Sequence, residues 1–294
     1  MNLMLRPRFL CLFLLIALLT LPIVFAAPAR DHKVVAASAC HYTPAAMTKW
    51  MPTDIVCPVC QTKNRFMTVL SFGSYIYQFP SKYELIFWPY TDSPGWYSCE
   101  HCHYSAFMSD FDTLPKEKIA EITEALKSIS LMVQKEPAPS SLGVAPPYLA
   151  LSVSSRMLAS EKIYQILKGD SDEFWSHFNR VLGYQLASEG KPAEAAEARQ
   201  KALKITKKLL QDKSRQGERK ELLYICGAMH HFLKDDQAAA KAFDEAAGLR
   251  YSNPKLEADR NKGYDEYLSQ LIKEYIDMLK KGSGPRDGAK KIAE

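Results

Sequence analysis

Several familiar chemistries have no foothold in this sequence of 294 residues. It contains no G-x-x-x-x-G-K-[S/T] and no G-x-G-x-x-G run. Nothing local can therefore cradle a phosphate or a dinucleotide with backbone amides. It also lacks H-E-x-x-H and G-x-S-x-G, which removes the helical zinc-protease pair and the hydrolase nucleophile elbow. Charge of one sign is missing as well. The 38 basic and 33 acidic residues are scattered, and such a balance gathers neither nucleic acid nor an anionic membrane surface.

One long apolar run is present, from Phe9 to Phe25, and it follows Arg6 and Arg8. A positive start, an apolar stretch and Val24-Phe25-Ala26 together read as a secretory signal cut after Ala26. Pro22 interrupts the run, which is just short of the usual span of about 20 residues. The rival reading is an uncleaved anchor, the one route by which this chain would touch a membrane. A lipoprotein signal at Ala37-Ser38-Ala39-Cys40 is a third reading, weakened by the distance of Cys40 from the apolar run. Cleavage leaves 36 basic against 33 acidic residues and six cysteines. The expected location is periplasmic or secreted.

Four of those cysteines form two identical spacings, Cys57-Pro58-Val59-Cys60 and Cys99-Glu100-His101-Cys102. Each spacing sits on a tight turn that aims two sulfurs at one point, so two turns can close one tetrahedral Zn2+ site. The 38 residues between the pairs exceed the 15–20 of common ribbons, which predicts a β insertion. A saturated set of four thiolates leaves no open position for water or substrate, so the zinc is structural and not catalytic. His101 and His103 are alternative ligands beside the second pair. The competing reading treats each C-x-x-C as a redox dithiol, since export permits disulfides. Cys40 and Cys226 could bridge, although Cys226 falls on a predicted apolar helix face where a buried hydrophobe is the plainer role.

The chain divides into a signal at 1–26, a flexible lead at 27–52, a four-cysteine module at 53–133, a Pro-rich linker at 134–147, a helical domain at 148–281 and a disordered tail at 282–294. Within the module, Phe66–Leu70 and Tyr83–Trp88 read as strands, with turns at Phe72–Ser74 and Asp92–Gly95. Lys116 to Val133 carries a helical stripe behind Pro115. From residue 149 the pattern is almost all helical. A helix ends at Gly169, and Asp170-Ser171-Asp172 caps the next, whose apolar face is Phe174, Phe178, Val181, Leu182 and Leu186. Gly190-Lys191-Pro192 breaks it, and Asn253-Pro254 starts the last helix. The acids at 170–173 suit a helix start, and the lysines at 201–208 read as a solvated face. His230 and His231 are adjacent, about 100° apart on a helix, and make a poor metal pair.

Two helix pairs repeat. Leu182, Gly183, Leu186 and Ala195 recur as Cys226, Gly227, His230 and Ala239, each 44 residues later. Small residues at these points let helices pack closely, as in tetratricopeptide repeats. Arg199 stands where that pattern expects Phe, and the long period predicts an extended second helix in the first pair. An ordinary Ala-rich bundle is the alternative.

With Cys57–Cys60, Trp96-Tyr97 before Cys99, Tyr104 after Cys102 and the Ala106-Phe107 that follows, the chain resembles the bacterial domain of unknown function 2225 over roughly residues 54–250. That resemblance implies a cysteine module joined to tetratricopeptide-type helices and implies no activity. His103 stands where the family commonly has Gly, which bears on the shape of that turn. The expected fold is α+β, a small zinc-ribbon-like module followed by a tetratricopeptide-like helical bundle. The expected function is an exported, noncatalytic scaffold that binds a protein or peptide. The alternative is a periplasmic thiol–disulfide redox protein. Trp88, Trp96 and Tyr97 are expected over the sulfur cluster or, alternatively, on a partner surface.

Overall fold

The computed structural model describes residues 49–71, 80–86, 90, 93–129 and 151–282. The expected signal, almost all of the expected lead, the linker, the turn at Phe72–Ser74 and nearly all of the tail lie outside the described residues, as do Cys40 and Trp88.

Two short antiparallel hairpins come first. Strands β1 (Lys49–Val56) and β2 (Lys63–Ser71) pair from Lys49 opposite Ser71 to Val56 opposite Lys63. β1 takes in four residues assigned from sequence to the lead. On β2, Asn64 and Phe66 point inward while Lys63 and Arg65 face water, the period-two pattern of a strand with one buried face. Strands β3 (Trp96–Ser98) and β4 (Ser105–Phe107) pair over three residues, all six of them buried. The expected strand at Tyr83–Trp88 is not formed where the chain is described. Pro80–Glu84 is instead a 3-10 turn, and side chains from distant helices hold it in that shape.

A short α1 (Met108–Phe111) leads through a 3-10 turn at Lys116–Lys118 to α2 (Ile119–Leu126), which buries Ile122 and Leu126. The helical stripe expected from Lys116 thus begins as a 3-10 turn. Six longer helices follow: α3 (Val153–Lys168), α4 (Asp172–Ser188), α5 (Pro192–Leu209), α6 (Arg219–Phe232), α7 (Asp236–Ala247) and α8 (Ala258–Lys280). The sequence signals that start them are capping residues. Ser152 accepts from Ser155 N, Ser171 from Phe174 N and Asp235 from Ala238 N, while Pro192 occupies the first turn of α5. Gly169 ends α3 with φ +54°, backbone that an L side chain rarely adopts and that glycine enters freely. The last helix begins at Ala258 and not at Asn253-Pro254, because the Asn253 backbone N–H is bonded to Asn261 Oδ1 and Asn253 O accepts from Asn261 Nδ2.

The two stretches that match at a spacing of 44 residues are each a pair of packed helices. α4 and α5 run antiparallel, with Ser176 Oγ and Thr206 Oγ1 2.8 Å apart at one level and Gly183 against Arg199 at another. α6 and α7 pack the same way through Gly227 and Phe243. The first unit is longer for two reasons: α5 has 18 residues against 12 in α7, and a 3-10 turn at Lys213–Glu218 precedes α6. Ala195, Ala198 and Ala202 at that interface are almost fully buried.

Two hydrophobic clusters fill the interior. The first runs without a break from Cys57, Phe66 and Trp96 through Met157 and Tyr164 of α3 to Phe178 and Leu182 of α4, ending on Ala195 and Ala198. The second joins Ala202 and Leu203 to α6, α7 and α8 and includes Leu85 of the inserted turn. Arg156, fully buried on α3, donates to the carbonyls of Ser93 and Trp96, at 2.9 and 2.5 Å. Tyr164 accepts from Phe107 N at 2.9 Å and donates to Asp110. The hairpins are thus built onto α3. Among the described residues, no helix is long and apolar enough to cross a membrane.

Candidate metal centre

The two C-x-x-C spacings fold into the same turn. In the first, Gln61 N donates to Cys57 O at 2.9 Å and Cys57 N to Thr62 O at 2.9 Å; in the second, His103 N donates to Cys99 O at 2.9 Å and Cys99 N to Tyr104 O at 2.8 Å. Gln61 and His103, at equivalent places, both take left-handed backbone, with φ of 63° and 64°. His103 therefore keeps the turn that a glycine would adopt with less strain, since only Gly enters this region freely. The amides of each turn bond to its first sulfur, a small downward pull on that thiol; neighbouring thiols act more strongly, and Cys57 stays raised.

β1–β2 and β3–β4 bring these turns face to face. Cys57 Sγ lies 3.6 Å from Cys102 Sγ, and Cys60 Sγ 3.5 Å from Cys99 Sγ. All four sulfurs fall within 4.8 Å of one another. A tetrahedral Zn2+ with bonds of about 2.3 Å needs sulfur–sulfur edges of about 3.8 Å, so the set fits a single ion. Cys57 and Cys99 are buried, while Cys60 and Cys102 are half-buried. Held as bare thiols, the four cannot all ionise side by side. Hydrogen bonds from Cys102 and Cys57 hold the Cys99 thiol well below its ordinary value, whereas Cys102 is driven upward by its bonds to Cys57 and Cys99. A divalent cation is the species that collects such charge.

Each cysteine expected from sequence as a ligand is in the cluster, and neither His101 nor His103 belongs to it. Asn64 is part of the surroundings that the cysteine pattern alone does not announce. It is 3 % exposed on β2, its Nδ2 lies 3.5 Å from Cys99 Sγ, and its Oδ1 accepts Glu100 N at 3.1 Å. One side chain from the first hairpin thereby steadies the second, as groups behind a metal ligand do. Its local signal is faint: a polar residue at an inward strand position, with partners 35 and 36 residues away. Tyr97 stacks on Phe66 with centroids 4.3 Å apart and meets Phe111 edge-on, closing the core behind the sulfurs. Trp96 turns the other way, against Tyr164 and Phe178 of the helices.

The remaining polar constellations are accounted for by pairing. His230 and His231 bond Asp235 and Asp236 at 3.1 and 2.7 Å. Asp172 and Glu173 at the start of α4 pair with Lys208 and Arg215. Cys226 is buried in the second cluster, where desolvation raises its thiol to about 12, which makes it a poor nucleophile.

A family model described as "Uncharacterized protein conserved in bacteria (DUF2225)" matches residues 51–267. The match takes in both hairpins except Lys49 and Trp50, and all of the chain from α1 to α7. No curated protein and no solved structure matches the chain.

Proposed function

The chain belongs to the DUF2225 family, and from that premise we propose that it is an exported, noncatalytic scaffold, stabilised by Zn2+ and binding a protein or peptide through its helical half. One observation carries this reading: four sulfurs from two like turns converge within 4.8 Å. Cys57, Cys60, Cys99 and Cys102 would hold the ion. Four thiolates complete its coordination, and its chemistry there is to cross-link two small hairpins, a contribution on the order of 10–16 kcal/mol in comparable sites. Such a closed set offers no place for a substrate. The tetratricopeptide-like packing of α4–α7 supplies the surface for a partner. Export follows from the signal-like start, and loading of the ion protects the thiols in an oxidising compartment.

The thiol–disulfide reading has less support. Each C-x-x-C is followed by a strand, β2 or β4, and not by a helix whose N-terminus would depress a reactive thiol. Metal analysis and thiol titration of protein purified from the envelope decide between them. About one zinc and four protected thiols per chain are expected. Metal-free protein with one or two reducible bonds would overturn the scaffold reading, and bound iron would overturn the choice of zinc.

A further inference from the structure

The helical half already holds a peptide, and that peptide is its own. Residues Lys82–Leu85 lie across α4, α5, α6 and α8 and are gripped as a separate chain would be. Three consecutive carbonyls accept from helix side chains. Tyr83 O takes the hydroxyls of Tyr224 and Tyr275, at 3.1 and 3.2 Å. Glu84 O and Leu85 O both take Arg180 Nη1, at 2.6 and 3.3 Å. The Glu84 carboxylate, 2 % exposed, receives Arg199 Nε at 3.0 Å and Nη2 at 3.3 Å. This is the two-pronged geometry that makes guanidinium selective for carboxylate. Tyr83 hydroxyl and Lys82 Nζ both reach Glu274, each at 3.1 Å.

Hydrogen bonds to main-chain carbonyls hold any peptide, and a buried Glu–Arg pair fixes which register is accepted. The pair rests on a departure from the repeat. Phe243 covers Gly227 in the second helix pair, and at the matching place in the first pair the stem of Arg199 covers Gly183 and carries its charge on to Glu84. Its guanidinium also lies 4.4 Å over the Phe232 ring. A residue that fills in one unit reaches in the other.

We infer that this face of α4, α5, α6 and α8 is a peptide-binding surface closed by the chain's own Lys82–Leu85. Its partner is a peptide segment with an aromatic residue followed by an acid, which takes up the same turn and enters by displacing the resident one. The inference rests on the partner-binding reading above and adds to it the site, the resident occupant and the chemistry of the partner. A tethered occupant competes at an effective concentration of about millimolar, so the closed chain binds free peptide weakly and a chain with a weakened turn binds it well.

The test uses the full chain and a fluorescein-labelled peptide of residues 80–86, Pro-Ser-Lys-Tyr-Glu-Leu-Ile. The double variant Tyr83→Ala, Glu84→Gln is expected to bind this peptide at least about tenfold more tightly than the unaltered chain. A peptide with Gln in place of its Glu is expected to lose that gain. Equal affinities for the two chains, with the variant's helical circular dichroism and metal content unchanged, would overturn the inference. If the variant does not fold, the unaltered protein decides by amide hydrogen exchange. Excess peptide, at several millimolar, is expected to speed exchange in residues 80–86, and unchanged exchange there would overturn the proposal. A direct partner, identified by crosslinking and shown to leave exchange at 80–86 unaltered, would sink this inference while sparing the wider reading. Loss of zinc stoichiometry strikes the wider reading and leaves the peptide experiment standing.

Discussion

The sulfur turns and the helix pairs are each built twice, and the two duplications differ in how strictly the copies agree. The turn at Cys57–Thr62 and the turn at Cys99–Tyr104 share their hydrogen bonds and their left-handed residue. A single tetrahedral ion held by the four sulfurs would impose this likeness, because four equivalent ligands must approach one point. The helix pairs share small residues at matched places, yet Arg199 and Phe243 do different things over Gly183 and Gly227. No central atom ties one pair to the other, so each can take up its own task. Duplication held by a shared centre stays symmetric, and duplication held by packing is free to specialise.

The strongest way to break this comparison is to disable one sulfur turn. Cys99→Ser is expected to lose the metal and unfold both hairpins, an effect on the order of 10 kcal/mol. Amide exchange should rise across β1–β4, α3 and α4, which share one core, while α6–α8 keep their protection. If only β3–β4 loosens, the turns do not share an ion.

The next effect tests what is special in the first helix pair. Arg199→Ala takes the guanidinium away from the buried Glu84 carboxylate and is expected to cost about 3–5 kcal/mol in urea unfolding. Arg199→Phe combined with Glu84→Leu makes the first pair resemble the second and is expected to recover most of that loss. A single Arg199→Phe as stable as the unaltered chain would mean that the ion pair carries no weight.

A smaller effect separates the two glycines. A Cβ at Gly227 would meet the Phe243 ring at 2.6 Å, and that ring is stacked on Tyr275 with centroids 4.5 Å apart. Gly227→Ala is therefore expected to cost about 1–3 kcal/mol by overpacking. Gly183→Ala meets the stem of Arg199 at 2.8 Å and Ala195 O at 3.3 Å and should cost less, since an unbranched stem yields by small changes at several torsions whereas a stacked ring must shift as a rigid plate. Equal losses on thermal melting would remove the distinction.

The smallest effect is acid-dependent. Where the first pair has Ser176, the second has Lys220, nearly buried and 2.6 Å from Asp265 of α8. Desolvation raises the Asp265 carboxyl, but the bonds from Lys220 and from Tyr251 N outweigh it and hold the group below its ordinary value. Its contribution is present above a pH near 4 and is lost as pH falls through the lower folded value. Asp265→Asn is expected to flatten that part of the acid-unfolding curve, by about 1 kcal/mol or less because the carboxylate is partly solvated. An unchanged curve would assign the loss to other carboxylates.

Local features were legible in the sequence and distant ones were not. The cysteine spacing announced the cluster because ligand spacing is a property of a few adjacent residues. The cap at Ser171 and the 44-residue recurrence of glycine are likewise local or periodic. The reading of Tyr83–Trp88 as a strand failed at Tyr83 and Glu84 because its aromatic and apolar residues suit a strand in isolation. What sets that segment is Arg180, Arg199, Tyr224 and Tyr275, which lie 95 to 192 residues further along the chain. No periodicity encodes such a meeting. Arg199 did leave a mark in the sequence, as the wrong residue for its repeat, and Glu84 gives that anomaly its physical meaning. Trp96 was expected over the sulfurs and faces the helices because strand alternation sends it to the side opposite Tyr97.

The two clusters meet along α5. Ala195 and Ala198 near its start belong to one, and Ala202 and Leu203 to the other. The seam of the molecule therefore crosses a single helix midway and does not follow the border between sheet and helix. Leu85 sits on the far side of that seam although it is threaded from the hairpin region. The inserted turn is thus a stitch through both layers. A truncated chain ending after α5 would leave Leu85 without its neighbours and strip the lower flank of α5, so the natural place to divide this polypeptide is not where its architecture changes class.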